Sequence, residues 1–310
     1  MIEPRPYKNE TDLNAMFDLL RAGRAANNGM FYVHPGDLNW WWYYHDPKKL
    51  FPESTFLWER EGQLLGWTLI AKGAMDVYPA PVLRGTPDAA AMYVWAEEQL
   101  VARTRAEGGK EIETIWVGEQ DAWFIEHLDR RGFTRDSVIF VYNTCSLDRD
   151  IPEPALPPGY TVRGMGGAHE APSRARASYG AFQSKKDWEP YLQNYRNFTQ
   201  APIYNPELDV VAVSPDGEIA AFAICWLDPV NGIGHFEPVG THPDYQRKGL
   251  GRAVLYEGMR RMKARGMRKA SVCVDGDNPA GVGVYAAAGF TPECKILTYK
   301  KALENPLNDE

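Results

Sequence analysis

The stretch Gln246-Arg247-Lys248-Gly249-Leu250-Gly251 decides how this chain is read. Before it stands GHFEPVGTHP, an apolar, strand-like segment ending at Pro243. After it comes GRAVLYEGMRRMKARG, with Ala253, Val254, Leu255, Met259 and Met262 spaced to fill one helix face. Strand, glycine-bearing loop and helix start, in that order, aim several unpaired backbone N–H groups at one point. The helix dipole adds partial positive charge there, and Gly249 and Gly251 let the backbone approach closely. Arg247, Lys248 and Arg252 add cations at the rim. The pattern suits a phosphate or pyrophosphate. A basic surface turn would produce a similar string, so the flanking sequence has to discriminate.

Other phosphate motifs do not fit. No GxxxxGK[ST] string occurs. Gly281-Val-Gly-Val-Tyr-Ala286 matches GxGxxA, but no acidic residue follows about 20 positions on and no further βα unit succeeds it.

Downstream, Lys269-Ala-Ser-Val-Cys-Val-Asp275 reads as a strand and Asn278 to Gly289 as a short helix ending in Gly-Phe. Here the chain resembles the GCN5-related N-acetyltransferase (GNAT) superfamily. Three of the family's elements occur in order over residues 233–300: a V-x-x-H-P strand end (Val239 to Pro243), the Q-x-x-G-x-G loop (Gln246 to Gly251) and an N-x₆-Y-x₃-GF helix (Asn278, Tyr285, Gly289, Phe290). The resemblance implies acetyl-CoA as donor, its pyrophosphate on the amides of Arg247, Lys248, Gly249, Leu250, Gly251 and Arg252. It also implies a pantetheine arm laid along the strand at Val239, Gly240 and Thr241, in the manner of an added strand. Asn278 would cap the helix and touch that arm, although Asn before Pro279 is a sufficient helix start by itself. The chain carries a formal charge of −7, yet residues 235–300 hold eleven Lys or Arg against six Asp or Glu. A polyphosphate feels that local field.

Sliding the sequence by 157 residues aligns its halves without a gap: Asp121 falls on Asn278, Leu128 on Tyr285, and Gly132-Phe133 on Gly289-Phe290. Opposite the cradle the first half has Ala89-Ala-Ala-Met-Tyr-Val94, without glycine or cation. Two domain-sized copies of one α/β unit are expected. Residues 1–146 form a degenerate GNAT-like domain, 147–158 (DRDIPEPALPP after Leu147) a proline-rich linker, and 159–310 the acetyl-CoA-binding catalytic domain. Each domain is expected as α/β (α+β), a central mixed, mostly antiparallel β-sheet flanked by helices. In the first, strands are expected near 2–6, 54–60, 63–72, 75–83, 111–117 and 134–146. Helices are expected from Thr11, over 87–107 and near 121–131.

Acetyl transfer to an amine needs a base for the amine, donors for the carbonyl oxygen and an acid for the leaving thiolate. Tyr285 sits where the resembled family places its acid, and the N–H of Val239 is the expected oxygen donor. His235 and Glu237 share a strand with Val239 and alternate onto one face, so both are candidates for the base. Glu237 is favoured because burial would raise its pKa. Cys273 as an acyl nucleophile has no nearby histidine.

The acceptor is expected to be a primary amine of a small molecule or peptide. The tandem arrangement also resembles mycothiol synthase and related two-domain acetyltransferases, which makes a cysteinyl amino-sugar one option beside aminoglycosides and peptide N-termini. A non-catalytic acetyl-CoA sensor is the competing class, and the intact Tyr285 argues against it. Trp40-Trp41-Trp42-Tyr43-Tyr44 holds too many rings for one buried helix face. It is expected chiefly at domain packing, with substrate lining second; a partner subunit, and so a homodimer, stays an option. MIEPRPYKNE lacks a signal-peptide core, and the longest apolar run, Ile219 to Leu227, is about half of a membrane span. Four cysteines without a CxxC pair, no Cys/His cluster of zinc spacing and no basic-aromatic blocks point to a cytoplasmic protein without metal, membrane or nucleic-acid partners.

Overall fold

The computed structural model describes residues 3–26, 29–45 and 50–303. Its first half runs β1 (Pro4–Pro6), α1 (Glu10–Ala26), α2 (Pro35–Trp40), a π-helical turn (Trp41–His45) and α3 (Leu50–Glu53). Then follow β2 (Thr55–Arg60), β3 (Gln63–Ala71), β4 (Ala74–Pro79), α4 (Pro87–Ala106), β5 (Glu111–Gly118), α5 (Ala122–Arg130) and β6 (Thr134–Ser146). The second half runs β7 (Thr161–Gly164), α6 (Ala171–Ala181), α7 (Trp188–Phe198), β8 (Asp209–Val213), β9 (Ile219–Asp228) and β10 (Ile233–Thr241). It closes with α8 (Leu250–Ala264), β11 (Lys269–Val274), α9 (Pro279–Ala288) and β12 (Thr291–Ala302).

The repeat seen in the sequence is a repeat of structure. Shifted by 157 residues, β5, α5 and β6 fall on β11, α9 and β12, and the two short helices are capped alike. Asp121 Oδ1 accepts the N–H of Phe124 (3.0 Å), and Asn278 Oδ1 accepts that of Gly281 (2.9 Å). Helix α1 starts at Glu10, one residue before the expected Thr11. The amide oxygen of Asn9 takes the N–H of Thr11 at 3.0 Å, so Asn9 is the cap.

The chain forms two compact units that do not follow its order. One comprises the described residues among 1–33, 50–141 and 294–303; the other comprises 34–45 and 142–293. The proline-rich stretch 147–158 lies inside the second unit. Each unit closes its sheet with a strand from outside its own half. In the first, β12 pairs antiparallel with β5; in the second, the end of β6 lies beside β11. The remaining described pairs are antiparallel except β4 with β5 and β10 with β11, one parallel pair per unit.

In the second unit β8 and β9 are the core strands, and almost every one of their side chains is buried. Alternation along β9 splits them between two layers. Ile224 and Trp226 pack with α6, α7 and the 34–45 segment, whose Trp40 and Tyr44 join Tyr191, Tyr195 and Phe198 in one cluster. Cys225, between them, faces α8, where a Cβ on Gly258 would stand 2.8 Å from its Sγ. The aromatic run thus serves packing: Trp40 stacks on Tyr44 (centroids 3.9 Å apart) and meets Phe198 edge-on at 4.8 Å. Each such buried ring contributes roughly 1.5–3 kcal/mol of apolar burial, so this segment is a substantial part of the unit's core.

Candidate active site

Helix α8 begins at a glycine that no side chain caps. Gly249 is its N-cap, in the left-handed region (φ +80°), and no side-chain hydrogen bond reaches the first turn. By contrast α4, α5 and α9 are capped by Thr86, Asp121 and Asn278. The leading N–H groups of α8 are therefore free for an anion. Arg247 is also left-handed (φ +63°), an uncommon posture for a side-chain-bearing residue, which turns the loop back on itself. A Cβ on Gly249 would meet nothing within 4 Å, whereas one on Gly251 would stand 3.3 Å from Thr241 Oγ1. Gly251 is the point where α8 closes on the end of β10.

A cavity of about 570 Å³ opens in front of this helix start. Of the residues singled out in the sequence it gathers Val239, Gly240, Thr241, Gln246, Arg247, Gly249, Leu250, Gly251, Arg252, Asn278 and Tyr285. Lys248, Glu237 and His235 are not on its wall. The Lys248 ammonium sits over the rings of Tyr245 (5.1 Å) and Tyr160 (5.7 Å) and donates to the Tyr160 hydroxyl at 3.2 Å. Phe182, one of the second-half helix aromatics that spacing leaves undivided between core and pocket, is a wall residue at the end of α6, 50% exposed and edge-on to Phe222. Nothing in its neighbourhood separates it from the other aromatics of α6 and α7.

The cavity continues along a parted pair of strands. β10 is parallel to β11 only from Ile233↔Lys269 to Phe236↔Val272; beyond that its pairing is with β9, resuming at Val239↔Ala223 after a register shift. From residue 237 onward the β11 side of β10 has no strand partner among the described pairs. An extended chain can add to such an edge. The Trp226 Nε1–H donates to the Glu237 carbonyl at 2.7 Å, which pins the irregular stretch to β9.

Three ionisable groups meet at this irregularity. The Tyr285 phenol is 8% exposed, and burial together with the charges of Glu237 and Cys273 holds its pKa above the usual tyrosine range. Burial, reinforced by the negative charge of Asp37, pushes the Glu237 carboxyl up to about 8. His235 is 1% exposed. Its Nδ1 lies 2.9 Å from Ser271 Oγ, and its Nε2 lies 3.1 Å from Asp37 Oδ1 without a well-aimed hydrogen bond. The register shift between Phe236 and Val239 breaks the strict alternation expected for His235, Glu237 and Val239. Asp37 went unnoticed in the sequence because it stands about two hundred residues upstream of Glu237, in a short segment whose capping pattern explains it locally.

Residues 173–290 match the family described as Acetyltransferase (GNAT) family. Over this segment, which carries the cavity's strand edge and helix start, the chain is similar to GNAT acetyltransferases. Among curated relatives, proteins named mycothiol acetyltransferase share 32% identity: one from Kineococcus radiotolerans over 55% of this chain and 55% of its own length, another from Streptomyces bingchenggensis over 49% of each. The chain spans about half the length of the curated relatives it matches. Two solved structures share the fold across nearly the whole chain. A tandem GNAT protein from the clavulanic acid biosynthesis pathway has a TM-score of 0.71 at 15% identity (98% of this chain, 99% of that one). A GCN5-related N-acetyltransferase from Sphaerobacter thermophilus has a TM-score of 0.63 at 19% identity (98% and 96%).

Among the described residues, the cradle before α8 has no counterpart in the first unit. There β4 and β5 also part after Met75↔Thr114. The gap beyond holds Met30 and Phe31, with Phe31 stacked on Trp116 (6.0 Å), and leaves a cavity of about 10 Å³. The start of α4 carries Pro87 and is capped by Thr86, while Arg84 is ion-paired to Asp121 and lies over Trp123 (4.6 Å). Among the described residues no helix is long and apolar enough to cross a membrane, and no cluster of three or more His, Cys, Asp or Glu is placed to hold a metal.

Proposed function

We propose that the protein moves an acetyl group from acetyl-CoA directly to a primary amine of a small molecule or peptide, at the site in the second unit. GNAT-family enzymes use acetyl-CoA as donor, and the residues present fit that ligand. One observation carries the reading: a single cavity joins an uncapped glycine helix start, a free strand edge and a buried tyrosine hydroxyl. The N–H groups of residues 249–252, with Arg247 and Arg252 beside them, hold the pyrophosphate. The edge of Val239, Gly240 and Thr241 aligns the pantetheine arm, and Asn278 fixes the helix that presents Tyr285. Gln246 braces the loop by donating from its amide to the Thr241 carbonyl at 3.3 Å.

Each residue then has a chemical task. The ionised Glu237, whose carboxyl lies behind the cavity wall, receives the proton of the acceptor's ammonium through a bridging water; an amine with a free lone pair is left to attack. The N–H of Val239 steadies the carbonyl oxygen as negative charge gathers on it. As the C–N bond forms and the C–S bond breaks, the Tyr285 hydroxyl supplies a proton to the departing sulfur, and the proton that the new amide nitrogen gives up restores the hydroxyl. Its raised pKa keeps that hydroxyl protonated through the neutral range. Enclosed on both sides, His235 supports the strand and leaves the proton transfer to Glu237. The first unit, with its gap filled and its helix capped, binds no acetyl-CoA. The relatives' shared name favours a mycothiol-type amine as acceptor over aminoglycosides and peptide N-termini.

The test is Tyr285→Phe. The expected result is a kcat lower by about a hundredfold or more with acetyl-CoA affinity unchanged. Unaltered kcat would remove Tyr285 from the acid role.

A further inference from the structure

We infer that Arg149, in the proline-rich stretch ahead of the matched segment, is a positioning residue for Tyr285: its guanidinium holds the C-terminal end of α9 and so fixes where the phenol stands. The inference rests on the transfer reading above, in which Tyr285 is the acid, and gives residues 147–158 a task beyond joining the two halves of the chain.

α9 has little of its own to hold it. It is ten residues long, a length that is marginal for an isolated helix, and Gly281 and Gly283 weaken it further. Of its side chains only those of Tyr285 and Ala288 are buried. A helix so lightly packed depends on its ends. Asn278 caps the first turn. The last turn, which carries Tyr285, ends in four carbonyls that the helix itself cannot satisfy.

All four are taken up. The Tyr285 carbonyl accepts the Phe290 N–H and the Ala286 carbonyl accepts the Gly289 N–H, each at 3.0 Å, a closure that the left-handed Gly289 (φ +95°) permits. The Ala287 carbonyl accepts the Tyr256 hydroxyl of α8 at 3.3 Å. The outermost, that of Ala288, accepts Nη2–H of Arg149 at 2.6 Å. Alone of the four donors Arg149 is charged, and it stands where the helix dipole favours a cation. A Cβ on Gly289 would come within 2.6 Å of the same nitrogen, so the guanidinium lies directly against the turn. The Phe290 ring, just beyond, meets Tyr285 edge-on at 5.9 Å. A shift of this turn carries the phenol with it.

Arg149 is itself placed from outside α9. The buried Leu147 donates its N–H to the Arg268 carbonyl at 2.8 Å, and the Arg149 carbonyl accepts Lys263 Nζ–H at 2.7 Å. Arg260 reaches the Ile151 carbonyl at 3.4 Å and pairs with Glu153 at 2.6 Å. The second half of α8 thus holds the stretch that closes α9, while its first turn faces the cavity.

The test is a double-mutant cycle on kcat. Arg149→Ala should lower kcat by about tenfold, with acetyl-CoA affinity unchanged by calorimetry because the cradle is untouched. In a Tyr285→Phe background, which has no phenol hydroxyl left to misplace, the same substitution should change kcat by about twofold or less. A kcat that falls equally in both backgrounds, or not at all in the first, overturns the inference. Amide hydrogen exchange gives a reading that needs no turnover. In Arg149→Ala the amides of Gly289 and Phe290 should exchange faster by about tenfold or more, with those of β9 unaffected. Unchanged exchange overturns the inference. Should Arg149→Ala fail to fold, Arg149→Lys, which keeps the charge but loses the planar fork, takes its place in both measurements. Should the wild-type chain transfer no acetyl group to any amine, the transfer reading fails alone, and faster exchange at Gly289 and Phe290 still upholds Arg149 as the clasp on the turn that carries Tyr285.

Discussion

At the scale of single residues, the site is defined by two protons held more tightly than usual. The Glu237 carboxyl has a folded pKa of about 8 against an ordinary value near 4.5. Between those values the folded state keeps a proton that the unfolded state has released, so stability falls as pH rises and the loss is complete above about 8. The expected size is on the order of a few kcal/mol. Glu237→Gln removes the ionisation, so denaturant unfolding of that variant should lose less stability between pH 5 and 9 than the wild-type chain does; parallel curves would contradict the assignment. The same residues show what a sequence conceals. Tyr285 and Asn278 were legible because they belong to one short helix whose spacing is read in a line. Asp37 was not, since its approach to His235 depends on the fold and its sequence neighbours say only that a helix starts there. His235 looked accessible by position, yet its ring is enclosed between Asp37, His34 and Ser271.

At the scale of elements, the decisive feature is a helix that begins on Gly249 instead of a capping side chain. The sequence string announced it, because only glycine holds φ near +80° without strain and leaves the amides open. Gly249→Glu should weaken acetyl-CoA binding by about a hundredfold or more, measured by calorimetry, because it sets a carboxylate where the phosphates belong. The strained left-handed backbone adds roughly 1–2 kcal/mol of destabilisation, small enough for the fold to persist. Unchanged binding in a folded variant would dismiss the cradle. The parting of β10 from β11 was less visible. A run such as GHFEPVGTHP reads as one continuous strand, and the register shift that frees its edge arises from pairing with β9.

At the scale of the molecule, the repeat of 157 residues was plain in the sequence and the composition of the compact units was not. Periodicity assigns elements to halves; it does not reveal that β12 completes the first unit or that Trp40 and Tyr44 fill the core of the second. Residues 159–310 alone lack 34–45 and the end of β6. Removing a buried Trp or Phe costs about 3–5 kcal/mol, and a domain's whole stability is about 5–15 kcal/mol. That fragment should therefore show no cooperative thermal transition by circular dichroism; a melt matching the full chain would show that the inserted segment is dispensable. The central claim, acetyl transfer from acetyl-CoA to an amine in the second unit, is tested most directly by mass-resolved screening. Purified protein is incubated with acetyl-CoA and pooled amines, mycothiol-type amino-sugars, aminoglycosides and peptides. The account predicts an N-acetylated product, released with one equivalent of free CoA thiol and lost in Tyr285→Phe. Binding of acetyl-CoA without any acetylated product across the pool would contradict it.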